Sequence, residues 1–211
     1  MFMTQKAEKI AKILQENNPY PKTELDHKND YELSVAVMLS AQTTDKKVNQ
    51  VTPKLFKKYE DWENLANANP TEVGEIIRQV NFYKGKAERL VKAAQMVVSG
   101  FDSKLPRSMD ELTKIPGIAR KSANVIMQEA WGIAEGIVVD THVSRVSQRL
   151  GLTREKDPKK IEKDLMEVLP KNYWRNFSGN AVLHGRYTCI ARKPKCDECT
   201  LNKVCPSVFK V

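Results

Sequence analysis

The sequence predicts an all-α protein, and three observations carry that expectation. Apolar residues recur at i, i+3, i+4 and i+7 through most of the chain, the period of a helix with one buried face. No segment shows the strict apolar–polar alternation of a half-buried strand; Gly136 to Val139 is at most a short extended piece. No repeat at solenoid spacing and no low-complexity tract interrupts the pattern. Together these predict about ten helices.

Taken in order, Ala7, Ile10, Ala11 and Leu14 mark a first helix that stops before Pro19. Asn29-Asp30-Tyr31-Glu32 resembles a capping box and opens a helix carrying Leu33 to Gln42. Val48, Val51, Leu55, Phe56 and Tyr59 form the next stripe, with Pro53 expected to kink or break it. Thr71 is positioned to cap a helix through Ile76, Ile77 and Val80. Lys84 to Ser99 is helical and ends at Gly100, a natural left-handed stop. Phe101 to Arg107 is the most linker-like stretch, and Gly132 to Gly136 is a second, weaker boundary. Ser108 to Glu111 is another capping box, starting a short helix through Leu112 that Pro116-Gly117 cuts. A further helix begins at Arg120. Asp140 precedes Val143, Val146 and Leu150 as an N-cap, and Asp157-Pro158 is an N-cap with proline at the first helical position.

Composition narrows the function classes. The chain has 211 residues, 41% of them hydrophobic and 29% charged, which excludes a disordered or collagen-like chain. The longest mostly apolar run, Leu33 to Ala41, is too short to span a bilayer. The N-terminal residues lack the apolar core of a signal peptide, so a cytoplasmic location is expected. Lys plus Arg number 35 against 26 acidic residues, a net charge of +9. Such a surplus favours a polyanionic partner, most simply nucleic acid, although charge alone fits any basic soluble protein equally well. All four cysteines fall in one short stretch, as Cys189-x6-Cys196-x2-Cys199-x5-Cys205. In a reducing compartment that crowding points to a metal site rather than disulfides. Four thiolates suit tetrahedral zinc or a [4Fe–4S] cluster, and the chemistry of the donors does not choose between them.

The segment from Ser108 to Ile126 reads as helix, tight turn, helix. Its turn and second N-terminus would offer backbone N–H groups and the positive end of a helix dipole to an anion, with a DNA phosphate the obvious candidate. An ordinary helix–helix turn would look the same in isolation.

Ile115-Pro116-Gly117-Ile118-Ala119-Arg120-Lys121 resembles the helix–hairpin–helix element of the endonuclease III family of DNA glycosylases. The likeness extends to Leu39-Ser40-Ala41-Gln42-Thr43-Thr44-Asp45, to Val139-Asp140-Thr141-His142, to the run from Leu183 to Pro194, and to the cysteine spacing. It covers essentially the whole chain in order. The resemblance implies two helical domains, residues 22–132 with the hairpin and residues 1–21 plus 133–211 with a [4Fe–4S] cluster on the four cysteines. It implies base-excision repair, with double-stranded DNA carrying damaged pyrimidines or abasic sites as the partner. No membrane partner and a monomer are expected. The family hairpin usually has a second glycine where this chain has Ala119; a positive φ there would cost an alanine roughly 1–2 kcal/mol.

Lys121 resembles the family's catalytic lysine and Asp140 its acidic residue, which in the family face each other across a cleft between domains. A neutral amine can attack C1′ of a damaged nucleoside and form a Schiff base, and that cation acidifies the neighbouring proton for β-elimination. Desolvation and the nearby Arg120 would favour the neutral amine. An ionised Asp140 at a helix start can stabilise positive character at C1′ or take a proton from Lys121, while also serving as a cap. Gln42 resembles, by position, a residue that inserts into the duplex, though a polar helix end reads the same way. Phe82 falls where the family often carries Leu, and is a wedge or a core residue. His142 is structural or catalytic. Gly117, Ala119, Arg120, Arg192, Lys193 and Lys195 complete the expected phosphate-facing set. A glycosylase without lyase activity, with Asp140 activating water, is the enzymatic alternative. A DNA-binding module with a redox-sensing cluster, or ferredoxin-like electron transfer, is the non-enzymatic one.

Overall fold

The computed structural model describes residues 2–211. They form eleven α-helices and one 3₁₀ turn, with no strand among the described residues. The chain divides into two compact units: Thr23–Gly132, and the N-terminal helix up to Lys22 joined with Ile133–Val211.

The first unit holds α2 (Asp30–Ser40), α3 (Asp45–Lys58), α4 (Trp62–Ala66), α5 (Pro70–Ile76), α6 (Tyr83–Phe101), α7 (Met109–Leu112) and α8 (Arg120–Trp131). Helix α2 is buried continuously from Tyr31 to Leu39, so it is the central helix, and α3, α6 and α8 pack on it. Its N-cap is Asn29, whose side chain accepts from the Glu32 N–H at 2.8 Å. The Glu32 carboxylate reaches back one residue further than a capping box would, to the Lys28 N–H at 2.8 Å. Ser108 makes the expected start of α7, accepting from the Glu111 N–H and donating to the Glu111 carboxylate at 2.7 Å.

The second unit holds α1 (Phe2–Asn17), α9 (Thr141–Arg149), α10 (Pro158–Val168) and α11 (Trp174–Tyr187), with the 3₁₀ turn at Lys171–Tyr173. Ala7, Ile10, Ala11 and Leu14 of α1 join Val143, Val146, Ile161, Leu165, Phe177 and Ala181 in one buried cluster. Gly136 to Val139 is a buried, irregular strap and not a strand; the Val138 N–H donates to the Ser178 hydroxyl at 2.9 Å.

Several boundaries differ from the sequence expectation. Pro53 does not break α3: the buried face of Val48, Val51, Thr52 and Leu55 holds the helix across it. Asn69, not Thr71, caps α5, with Pro70 in the first helical position and the Asn69 side chain accepting from the Thr71 N–H. Helix α6 continues past Gly100 to Phe101 and stops at Asp102, which takes the left-handed conformation at φ 52. Helix α2 ends at Ser40, so Gln42 lies outside it. Helices α4 and α11 went unanticipated. The first is only five residues long, and α11 spreads Gly, Asn, Ser and His through its length.

Candidate functional site

The hairpin is built from the inside outward. Leu112, Ile115 and Ile118 are buried, which fixes the ends of α7 and of the turn. Gly117 sits at φ 90, a conformation open to glycine, and a Cβ there would lie 2.8 Å from the Met38 methyl. Ala119 caps α8 at φ −85, so the left-handed cost considered for an alanine at this position does not arise. It has no side-chain acceptor for the first turn of α8, and that end of the helix remains suited to an external anion. Gly117, Ala119, Arg120 and Lys121 are all exposed. Desolvation of Lys121 is therefore absent in the free protein and would have to come with bound DNA.

Elsewhere in the same unit, Gln42 and Phe82 are both exposed and both left-handed, at φ 55 and φ 58. Phe82 is 69% exposed, which removes the reading of it as a core residue. The Asn81 side chain joins the two segments by donating to the Gln42 carbonyl at 2.6 Å.

In the other unit, Asp140 caps α9. One of its carboxylate oxygens accepts from the His142 and Val143 N–H groups, both at 2.8 Å. Its capping role is thus realised. His142 is half-buried, and its Nδ1 accepts from Arg145 at 3.2 Å, which leaves the proton of a neutral ring on Nε2. The same arginine donates to the carbonyls of Gly185 and Cys189. One turn on, Arg149 donates to the carbonyls of Ile190 and Ala191 at 2.8 and 2.9 Å and approaches the Cys189 sulfur at 3.4 Å. Arg145 and Arg149 escaped the sequence reading. Their i, i+4 spacing after Asp140 was the available signal, masked by a chain with 35 basic residues.

The four cysteines form no disulfide and line one pocket with Arg149, His184 and Pro194. His184 Nε2 stands 3.7 Å from the Cys199 sulfur. Burial pushes the Cys199 thiol up, and the charges of Cys189, Cys205 and Cys196 push it further, as expected of thiolates gathered round one space. Among the described residues no three His, Cys, Asp or Glu side chains are disposed to ligate a single ion. Four thiolates lining one pocket are a donor set that suits a [4Fe–4S] cluster as well as tetrahedral zinc. Arg192, Lys193 and Lys195 are exposed on the adjoining loop, with Lys193 at φ 53.

Residues 35–171 match the model of the HhH-GPD superfamily base excision DNA repair proteins. Residues 189–205 match the iron–sulfur binding domain of endonuclease III. Endonuclease III of Synechocystis is 46% identical, covering 96% of this chain and 93% of that relative. Endonuclease III of Escherichia coli is 36% identical, covering 96% and 95%. A solved structure of a trapped covalent intermediate of endonuclease III with DNA superposes with a TM-score of 0.88 at 38% identity, covering 96% of this chain and 95% of that one. A thermostable thymine-DNA glycosylase shares the fold, with a TM-score of 0.85 at 21% identity. With a hairpin, a cysteine cavity and full-length relatives all in agreement, the chain belongs to the endonuclease III family within the HhH-GPD superfamily.

Proposed function

We propose that this protein is a bifunctional DNA glycosylase and abasic-site lyase that excises oxidised pyrimidines from duplex DNA in base-excision repair. One observation carries the reading: an exposed lysine, Lys121, stands one residue inside the uncapped N-terminus of α8, directly after the Gly117 turn. A helix end of that kind holds a phosphate, and the amine is then next to the nucleotide that the phosphate belongs to. No described helix is long and apolar enough to cross a membrane, and we place the protein with the DNA in the cytoplasm.

The chemistry follows from the two side chains. Lys121 Nζ, neutral when DNA covers it, attacks C1′ as the bond to the damaged base breaks, and the electron pair leaves with the base, which is protonated. Nζ gives up one proton, the ring oxygen O4′ takes up one as the C1′–O4′ bond breaks, and the opened sugar is left as an iminium in which Nζ keeps its other proton. That cation acidifies C2′; loss of a C2′ proton expels the 3′ phosphate, and water then hydrolyses the imine to restore the amine. The Asp140 carboxylate, at the start of α9, offsets positive charge at C1′ and accepts a proton from Nζ. Cys189, Cys196, Cys199 and Cys205 hold a [4Fe–4S] cluster that, when bound, pins the loop carrying Arg192, Lys193 and Lys195.

Borohydride reduction tests this. Wild-type protein should become covalently trapped on abasic DNA. Lys121→Gln should lose trapping while still binding, and Asp140→Asn should bind but release base about 10²–10⁴-fold more slowly. Trapping that survives in Lys121→Gln moves the nucleophile elsewhere. Base release without strand cleavage by the wild type restores the lyase-free alternative.

A further inference from the structure

Lys86 lies in the first turn of α6 and is 5% exposed, yet it carries a charge. Its ammonium donates to the Leu39 carbonyl at 2.8 Å, the Ala41 carbonyl at 2.6 Å and the Thr43 hydroxyl at 3.0 Å. Three protons meet three acceptors, so only the charged form satisfies the site. Burial and the like charge of Arg89 push its pKa down to about 8, which still leaves the ammonium dominant at neutral pH. Two of the acceptors are carbonyls at or just beyond the C-terminal end of α2, the negative end of that helix.

A buried lysine is an expensive way to close a helix that a glycine would close. What it holds explains its presence. Its contacts at Ala41 and Thr43 straddle Gln42, and Asn81 takes the Gln42 carbonyl itself. The backbone on both sides of this exposed, left-handed residue is therefore fixed. The residue after Asn81 is Phe82, also left-handed and exposed, and it caps α6 four positions before Lys86. Gln42 and Phe82 are thus tied to one frame through Lys86 and Asn81. Neither holding residue carries an assigned role in the reaction.

We infer that Lys86 and Asn81 are positioning residues for base extrusion: they hold Gln42 and Phe82 as a preformed pair that enters the stack when the damaged nucleotide leaves it. The inference rests on the glycosylase reading above. A rigid pair matters because unstacking must be offset as it occurs, and a mobile loop would first have to be ordered. Lys86 and Asn81 spend their side-chain bonds on the backbone around Gln42 and not on Lys121 or Asp140, so the chemistry on a nucleotide that has no base to extrude should be spared.

The test separates extrusion from chemistry. Two reactions are followed under single-turnover conditions: release of an oxidised pyrimidine from duplex DNA, and cleavage of a preformed abasic site. A 2-aminopurine beside the lesion reports unstacking. Asn81→Ala removes one bond from an exposed side chain and should slow base release about tenfold. Lys86→Met keeps the stem without the donors and should slow it about 10²-fold, the scale expected when a positioned group moves by an ångström. In both, the 2-aminopurine rise should slow in step with base release. Abasic cleavage and affinity for undamaged duplex should stay within about threefold of wild type, since the hairpin contacts are intact. If Lys86→Met fails to fold, Asn81→Ala carries the test alone. Wild-type rates in Asn81→Ala, or equal losses in both reactions, overturn the inference while leaving the glycosylase reading standing. A wild-type protein that releases no base and cleaves no abasic site overturns that reading and this inference with it.

Discussion

The hairpin and the cysteine loop present positive charge by different physical means. At the hairpin, Leu112, Ile115, Ile118, Ala123 and Ile126 are buried, and Arg120 and Lys121 ride on that apolar base. In residues 189–205 only Leu201 is buried, and all four cysteines are partly exposed. That loop has no helix of its own; it is drawn to α9 by the Arg145 and Arg149 bonds to the backbone of Cys189, Ile190 and Ala191. The hairpin is therefore ordered by the hydrophobic effect, and the loop by polar bonds and the group its thiolates hold.

The largest effect should follow from removing a thiolate. Cys199→Ser deletes one ligand and the sulfur nearest His184, so the protein should lose iron and sulfide together. The loop should then be cleaved by trypsin after Lys193 or Lys195, while a trypsin-resistant fragment containing Thr23–Gly132 persists. Because structural metal binding is itself folding free energy, the loss should be near complete. Iron analysis with limited proteolysis measures both. Equal protease sensitivity in the two regions would erase the difference between them.

A smaller effect is expected on the apolar side. Ile115 is 1% exposed at the base of the turn. Ile115→Ala should cost about 2–5 kcal/mol, the range for truncating a buried isoleucine. Chemical denaturation should register that cost with iron content unchanged. DNA affinity should fall as well, since Gly117 and Lys121 are carried on the same turn. A variant that keeps its stability would mean the hairpin does not depend on this packing.

How far the sequence revealed these features depended on the range of the interactions. The all-helical fold, the Ser108 and Asp157 caps and the Asp140 cap follow from local rules and are found in the structure. So is the gathering of the cysteines. Family likeness, not periodicity, supplied Lys121 and the choice of iron–sulfur over zinc. What escaped depends on contacts between distant residues. Pro53 stays inside α3 because the helix face around it is buried. Gln42 leaves α2 because Lys86, 45 positions away from Ala41, takes the carbonyl of that residue. Arg145 and Arg149 look like any surface arginines until the chain returns at Cys189.

The smallest expected effect sharpens the same contrast from the other side. Lys58 of α3 and Glu72 of α5 form a 2.8 Å ion pair in the hairpin unit, with both side chains at least half exposed. The Lys58 hydrogen bond holds the Glu72 carboxyl below its ordinary range, and the same bond holds the Lys58 amine above its own. The signs fix the window. Glu72 contributes above its unfolded pKa of about 4.3 and loses that contribution as pH falls through the acid range. Lys58 contributes below about 10.4 and loses its share as pH rises past that value. Between those limits the pair is intact, but water and salt screen an exposed pair, and two flexible side chains must be ordered to make it. Glu72→Gln should therefore leave the denaturation midpoint at pH 7 almost unmoved, and what difference exists should vanish in 1 M salt or once the pH has fallen through the lowered pKa of Glu72 in the folded protein. Polar bonds would then matter in this molecule where no apolar base lies beneath them, as in the cysteine loop, and hardly at all where α3 and α5 are already packed. A clear loss of stability in Glu72→Gln that persists in high salt would show that the hairpin unit, too, leans on its surface charges.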